Sequence, residues 1–203
     1  MPELPKLNSH QLLARLKHIE PSGRVDLSEV DLSQVNMQEN PIREAFRRLA
    51  ARGDNRSGAV SPYIDLSGSN ITRLDFRGYD MSNFIMSRTN ASHAVFVKTV
   101  MSDTKFDDAI CDFADFRQAD LYHTKLYNTS IVGTNFGGTR MAYTHGLGTP
   151  EDAVERLSVV ATIRGAELPP QIEPLRDEIQ AAILKNRSDV STTEDADTKP
   201  ATP

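Results

Sequence analysis

The side chains of this 203-residue chain that could hold a metal or move a proton are few: His10, His18, His93, His123, His145, the single Cys111, and aspartate pairs such as Asp107 with Asp108 and Asp112 with Asp115. Their spacing gives them little to do together. The histidines share no metal-ligand interval, and the chain has neither a phosphate-cradling glycine loop nor a nucleophile elbow. Cys111 falls at a position that reads as inward among apolar groups, which suits an inert thiol. One cysteine cannot form an internal disulfide and fits a reducing compartment. The expectation is therefore a protein with no catalytic residue, no metal and no cofactor.

What must position every one of these residues is a period of five. From Ile64 to Met141 a bulky apolar centre recurs at each fifth residue through sixteen units without a slip. Only the centres Ala91 and Cys111 are small. Two residues before each centre, every position from Thr89 to Thr139 is Ala or Thr. Neither a helix nor a flat strand has this period, so the chain must turn a corner within each unit, burying the centre and the small residue and exposing the other three.

Units such as Ala109-Ile110-Cys111, Ala114-Asp115-Phe116 and Ala119-Asp120-Leu121 resemble the pentapeptide-repeat family, written A-(D/N)-L-x-x. The resemblance implies an all-β fold, a right-handed quadrilateral (pentapeptide-repeat) β-helix in which four units make one coil. Centres twenty residues apart then stack, and they sort by type. Phe76, Phe96, Phe116 and Phe136 form one column and Met81, Met101, Leu121 and Met141 a second. Ala91 and Cys111 join Ile71 and Ile131 in a third, leaving space for rings that cross a narrow interior.

The same repeat occurs earlier at Val25-Asp26-Leu27, Val30-Asp31-Leu32 and Val35-Asn36-Met37, so the coil is expected to start near Val25 and to be interrupted. If residues 38–62 loop out as an α-helical insertion, Met37 falls in the methionine column. Asn40 and Pro41 suit a helix start, and Ile42, Phe46 and Leu49 make an apolar stripe ending before Gly53. The open ends of the coil need covers. An N-terminal helical cap is expected within residues 1–24, where Leu12, Leu13, Leu16 and Ile19 recur at helical spacing between Ser9 and Glu20. The β-helix spans 25–143. A C-terminal helical extension at 144–187 follows, with one helix starting at Thr149-Pro150-Glu151-Asp152, its face running through Val154, Leu157 and Ala161 until Gly165, and another from about Glu173 to Lys185. Residues 188–203 carry one large apolar residue, Val190, and read as a disordered tail.

Charge sums to −5, but the rod is near neutral: residues 63–143 carry eight positive and nine negative side chains, and residues 144–203 six and eleven. No apolar run is long enough to cross a membrane, and the Met1-Pro2-Glu3 start has no signal pattern, so a cytoplasmic protein is expected. Two surfaces stand out. The insertion carries Arg43, Arg47, Arg48 and Arg52 opposite its apolar stripe, either a solvated face or a binding face for an acidic partner. Outward positions usually given to Asp or Asn become Ile85, Val95, Val100 and Ile110, with Val97 also outward, a belt round the rod. Either the chain's own helices cover it, or Val95 and Val97, framed by Arg77, Arg117, Asp75 and Asp115, form a docking patch. Phe113, Tyr122, Tyr127 and Tyr143 are outward aromatics suited to anchoring a contact.

Fold alone does not give function. The family resemblance implies two roles. One is a non-catalytic protein–protein interaction scaffold or adaptor, in some members a bacterial effector delivered into a host. The other is a DNA mimic that occupies DNA gyrase or topoisomerase and protects against quinolones, dimerised through its C-terminal end. A phosphate mimic needs a continuous negative field, and the interleaved Arg73, Arg77, Arg88, Lys98, Lys105, Arg117, Lys125 and Arg140 break it. The scaffold is therefore the first expectation, with a protein partner, a homodimer through the C-terminal helices as a further contact, and no direct binding of nucleic acid.

Overall fold

The structure is a computed structural model that describes residues 3–20, 22–52 and 63–194, with side chains for all of these but 51–52 and 189–194. Its elements are α1 (Ser9–Lys17), β1 (Arg24–Asp26), α2 (Asn40–Arg52), β2 (Tyr63–Asp65), α3 (Pro150–Ser158) and α4 (Arg176–Glu194), with a 3-10 turn at Glu173–Leu175 before α4. Between β2 and α3 the chain is a β-helical coil. Parallel bridges join residues twenty apart, from Asp65 with Ile85 to Lys125 with His145, so four five-residue sides make each turn.

Each unit repeats one local device. The amide three residues after a centre donates to that centre's carbonyl, as Ala94 does to Ala91 at 3.0 Å, closing a tight turn. The second residue after the centre then takes a left-handed conformation, whether it is Gly78, Lys98 or Phe113. The residue before the centre is usually Asp or Asn because its side chain accepts from the next turn's amide: Asp75 Oδ1 from Arg77, Asn90 Oδ1 from Ser92, Asp115 Oδ1 from Arg117, each at 3.0 to 3.1 Å. Outward aspartate is thus part of the corner.

Inside, the four phenylalanines stack along the axis with ring centres 5.5, 4.8 and 5.5 Å apart. Phe106, from another side of the coil, meets Phe96 and Phe116 edge-on at 6.1 and 5.9 Å. Two rings fit across one narrow section because the neighbouring centres Ala91 and Cys111 are small and fully buried. The small inward threonines have a second task. Thr89, Thr104, Thr124 and Thr139 each donate their hydroxyl to the carbonyl of a centre in the preceding coil, at 2.8 to 2.9 Å, so a hydroxyl buried in an apolar shaft is satisfied.

At the N-terminal end the chain joins the coil before Val25: Lys6 bridges Asp31, and Leu7 is buried. Asn8 and Gln11 form a reciprocal capping box that starts α1, whose Leu12 and Leu16 are buried. β1 pairs with β2 in parallel, Val25 opposite Ile64, and Asp31 bridges Asn70. Continued along the chain, that register sets Met37 against Phe76, not in the methionine column. The excursion therefore replaces one side of a coil, which displaces Met37 by one column from a simple loop-out. α2 begins at Asn40 itself, with the Glu39 carbonyl taking the amides of Ile42 and Arg43. Its Ile42, Phe46 and Leu49 are buried, Phe46 edge-on to Tyr79 at 5.2 Å and 6.1 Å from Phe84. Residues 53–62, the rest of the expected insertion, lie outside the described residues.

The C-terminal end departs further from the helical extension read at 144–187. Thr149 and Asp152 form a capping box and α3 buries Ala153 and Leu157, but the helix stops at Ser158. The coil then resumes. Thr162 bridges Asn135, Glu167 bridges Arg140, and Ile163 and Leu168 are buried beneath Phe136 and Met141. Gly165, which looks like a helix stop, is the left-handed corner after Ile163. α3 is thus a second excursion, and the apolar run through Ala161 belongs partly to a β side. Carbonyls left open by this detour are met by side chains: Arg156 Nη2 donates to Leu126 and Thr129 at 3.2 and 3.1 Å, Asn186 to Ser158 at 3.2 Å, and Arg187 to Ala161. α4 runs on to Glu194, so residues 188–194 are helical where composition alone reads as a tail; extending a started helix costs far less than nucleating one. Residues 195–203 lie outside the described residues.

Candidate functional site

The outward positions form four ladders, one at each corner of the coil, and these ladders divide the apolar belt. Val95 stands between Asp75 and Asp115, and Val100 between Asp80 and Asp120. Ile85 lies between Asp65 and Lys105, and Ile110 between Asn90 and Ser130, in the other two ladders. A flat partner cannot touch all of them. Val95, Val97 and Val100 belong to adjoining sides of one turn and make a row, while Ile85 and Ile110 are each isolated among polar neighbours.

On either side of that row lies an ion pair. Arg77 Nε is 3.1 Å from Asp75 Oδ1, and Arg117 Nη2 is 2.7 Å from Asp115 Oδ2. The Asp115 contact draws the Arg117 guanidinium further above its ordinary range. The row is not covered as the sequence allowed: Val100 is 41% exposed, and Ile110, in its own ladder, is 44% exposed. Ile85, Val95 and Val97 are half-buried. α2 instead spends its apolar stripe at the Tyr79 and Phe84 end of the coil, and α3 packs with α4.

The arginine face of α2 is partly neutralised by its own helix. Arg47 and Arg48 both converge on Glu44 at 2.8 Å, and their hydrogen bonds lower that carboxyl to about 2. Arg43 lies over the Tyr79 ring, 5.3 Å from its centroid, and donates to Gln38 Oε1. The Arg52 side chain lies outside the described residues.

The remaining surface groups show what linear spacing concealed. His93 and His123 do stand apart, but His123 meets His145 with ring centres 5.7 Å apart, because twenty-two residues are one coil and a corner. His123 also stacks on Tyr143 at 5.5 Å and lies 4.5 Å from Tyr122, over which Arg140 sits at 4.8 Å. Phe113 stacks on His93 at 5.1 Å, and on its other side it fills the space a Cβ on Gly133 would need. A search for residues offset by the coil length would find both clusters. Cys111 is fully buried, and burial pushes its thiol well above the usual range, Asp112 adding to the rise. Among the described residues no three His, Cys, Asp or Glu side chains are placed to hold a metal ion, and no helix is long and apolar enough to cross a membrane.

This coil of five-residue corners has a known counterpart. The pentapeptide-repeat family matches over residues 85–121 and 111–142, in eight copies. Residues 85–142 belong to that family. No curated protein matches the chain significantly. Among solved structures it is similar to HetL, a pentapeptide repeat protein involved in heterocyst differentiation regulation from the cyanobacterium Nostoc sp. strain PCC 7120, at 15% identity and a TM-score of 0.41, covering 57% of this chain and 48% of that one. It is also similar to a pentapeptide repeat protein of the Arabidopsis thaliana thylakoid lumen, at 17% identity and a TM-score of 0.40, over 49% and 61% of the two chains. A third is QnrB1, a plasmid-mediated fluoroquinolone resistance protein, at 14% identity and a TM-score of 0.31, over 80% and 82%. The chain spans about half the length of the HetL structure.

Proposed function

We propose that this pentapeptide-repeat chain is a non-catalytic protein–protein interaction scaffold that docks a partner on the wall bearing Val95, Val97 and Val100. One observation carries the reading: an apolar row running round one edge of the coil, half-buried at Val95 and Val97 and exposed at Val100, with Arg–Asp pairs on either side of Val95, has the arrangement of an apolar contact centre with a charged rim. In this reading the coil is right-handed, α1 and the α3–α4 pair close its ends, α2 belongs to an insertion at 38–62, and Arg43, Arg47 and Arg48 extend the contact toward an acidic part of the partner. Self-association through α4 is a further contact, favoured by Leu184, which is 65% exposed. The scaffold acts in the cytoplasm of the cell that makes it or, as an effector, in that of a host.

The gyrase-mimic reading ranks second. Its continuous negative field is interrupted on this wall, where Asp75 and Asp115 are each paired with arginine. Affinity purification with the full chain and with a Val95→Asp, Val97→Asp double variant decides the first reading. Specific partners should drop at least tenfold with the variant while the fold, followed by circular dichroism, is kept. An unchanged partner set with a folded variant would sink the docking wall, and protection of gyrase from a quinolone in a supercoiling assay would promote the second reading.

A further inference from the structure

We infer that His123 and His145 form a two-imidazole anchoring site for a divalent first-row transition-metal ion, a site separate from the valine wall. The two rings come from successive coils: His123 is the left-handed corner residue after Leu121, and His145 is a ladder residue bridged to Lys125. Their centroids are 5.7 Å apart with planes at 63°. With metal–nitrogen bonds of about 2.1 Å, two imidazoles sharing one ion near the tetrahedral angle hold their ring centres roughly 5 Å apart. A shift of well under 1 Å, available from side-chain torsions alone, closes the difference.

Neighbouring rings pack around His123, while the exposed His145 ring is free to adjust toward it. His123 is held between the faces and edges of Tyr143 and Tyr122, at 5.5 and 4.5 Å. Imidazole is the side chain best suited to such ions near neutral pH, and two rings already adjacent need little rearrangement to share an ion. Two cations lie close. Arg140 is drawn onto the Tyr122 face and to Asp120 at 3.0 Å, and Lys125, bridged to His145 through the backbone, is exposed. The groove that His145 lines also holds Asp152, Glu155 and Arg156, with Asp152 engaged in the Thr149 cap and the Arg156 guanidinium turned to the Leu126 and Thr129 carbonyls. No third side-chain ligand stands beside the pair among the described residues, so water completes the coordination, and affinity should follow the order Cu²⁺ above Zn²⁺.

The test uses the untagged full chain titrated with Cu²⁺ and with Zn²⁺ by calorimetry at pH 7.5, together with electron paramagnetic resonance of the Cu²⁺ form. One ion per chain is expected, bound at least tenfold more tightly as Cu²⁺ than as Zn²⁺, with two coordinating nitrogens in the spectrum. His123→Ala and His145→Ala should each weaken binding at least tenfold and reduce the nitrogens to one, while His93→Ala leaves both unchanged. Absence of saturable binding, or a Cu²⁺ spectrum that neither variant alters, would overturn the site.

Discussion

The coils from Met86 to Met141 and the stretch from Ile64 to Phe84 obey the same period but fill their small inward position differently. In the first region that position is Ala or Thr, and the threonines reach the carbonyl of a centre one coil back, as Thr124 does to Met101. In the second only Ser69 is small, and its hydroxyl donates to the Leu27 carbonyl at 2.6 Å; Ile64, Leu74, Tyr79 and Phe84 are large, and all five are buried. The difference lies one coil back. Tyr79 sits where α2 stands in for one side of the preceding coil, and its ring and that of Phe84 pack on Phe46. Tyr79 still performs the threonine's task at longer reach, donating its hydroxyl to the carbonyl of Met37. The ring at Tyr79 therefore marks the side that α2 replaces.

The largest effect should come from the regular region. Phe116→Ala empties a column in which Phe96 and Phe136 stack on both faces, and it should cost about 3 to 5 kcal/mol in urea unfolding. A loss under about 1 kcal/mol would mean that the column closes up and that regular packing is not what distinguishes these coils. Next come the paired hydroxyl deletions. Thr124→Val and Tyr79→Phe each remove one side-chain donor from a buried carbonyl, and each should cost about 1 kcal/mol. If Tyr79→Phe is neutral, the claimed equivalence of tyrosine and threonine fails.

A pH slope confined to the aromatic region gives a separate check. Burial, with Asp75 adding and Arg43 opposing, pushes the Tyr79 hydroxyl from 10.0 to about 12. A raised folded value means that the unfolded chain loses this proton first, so the contribution is fully present below pH 10 and is lost as pH rises toward 12. Urea midpoints measured from pH 9 to 12 should fall more for wild type than for Tyr79→Phe. Parallel curves would remove Tyr79 from that role.

Much of this molecule was legible beforehand because a corner every five residues writes itself locally. The phenylalanine column needed only the coil length to be drawn. The valine row was also readable as a break in the polar pattern, although its separation from Ile85 and Ile110 was not, since that depends on which corner each residue reaches. Helix starts were readable from Thr149-Pro150-Glu151-Asp152, whereas the end of α3 was not. Ala161 and Ile163 have apolar character that serves a helix face or a β side equally well, and the choice fell to Phe136 and Met141, which would otherwise lack a cover.

By itself the sequence determined the facing of nearly every residue between Ile64 and Met141, because inward and outward alternate through bonds and turns a few residues long. Tertiary structure decided the rest: Met37 against Phe76, the coil resumed at Ile163, the side occupied by α2, and the meeting of His123 with His145. Each of these joins segments whose relative position is set when the chain returns after a detour or a full turn. That return is fixed by the total packing of the shaft, which no local pattern contains.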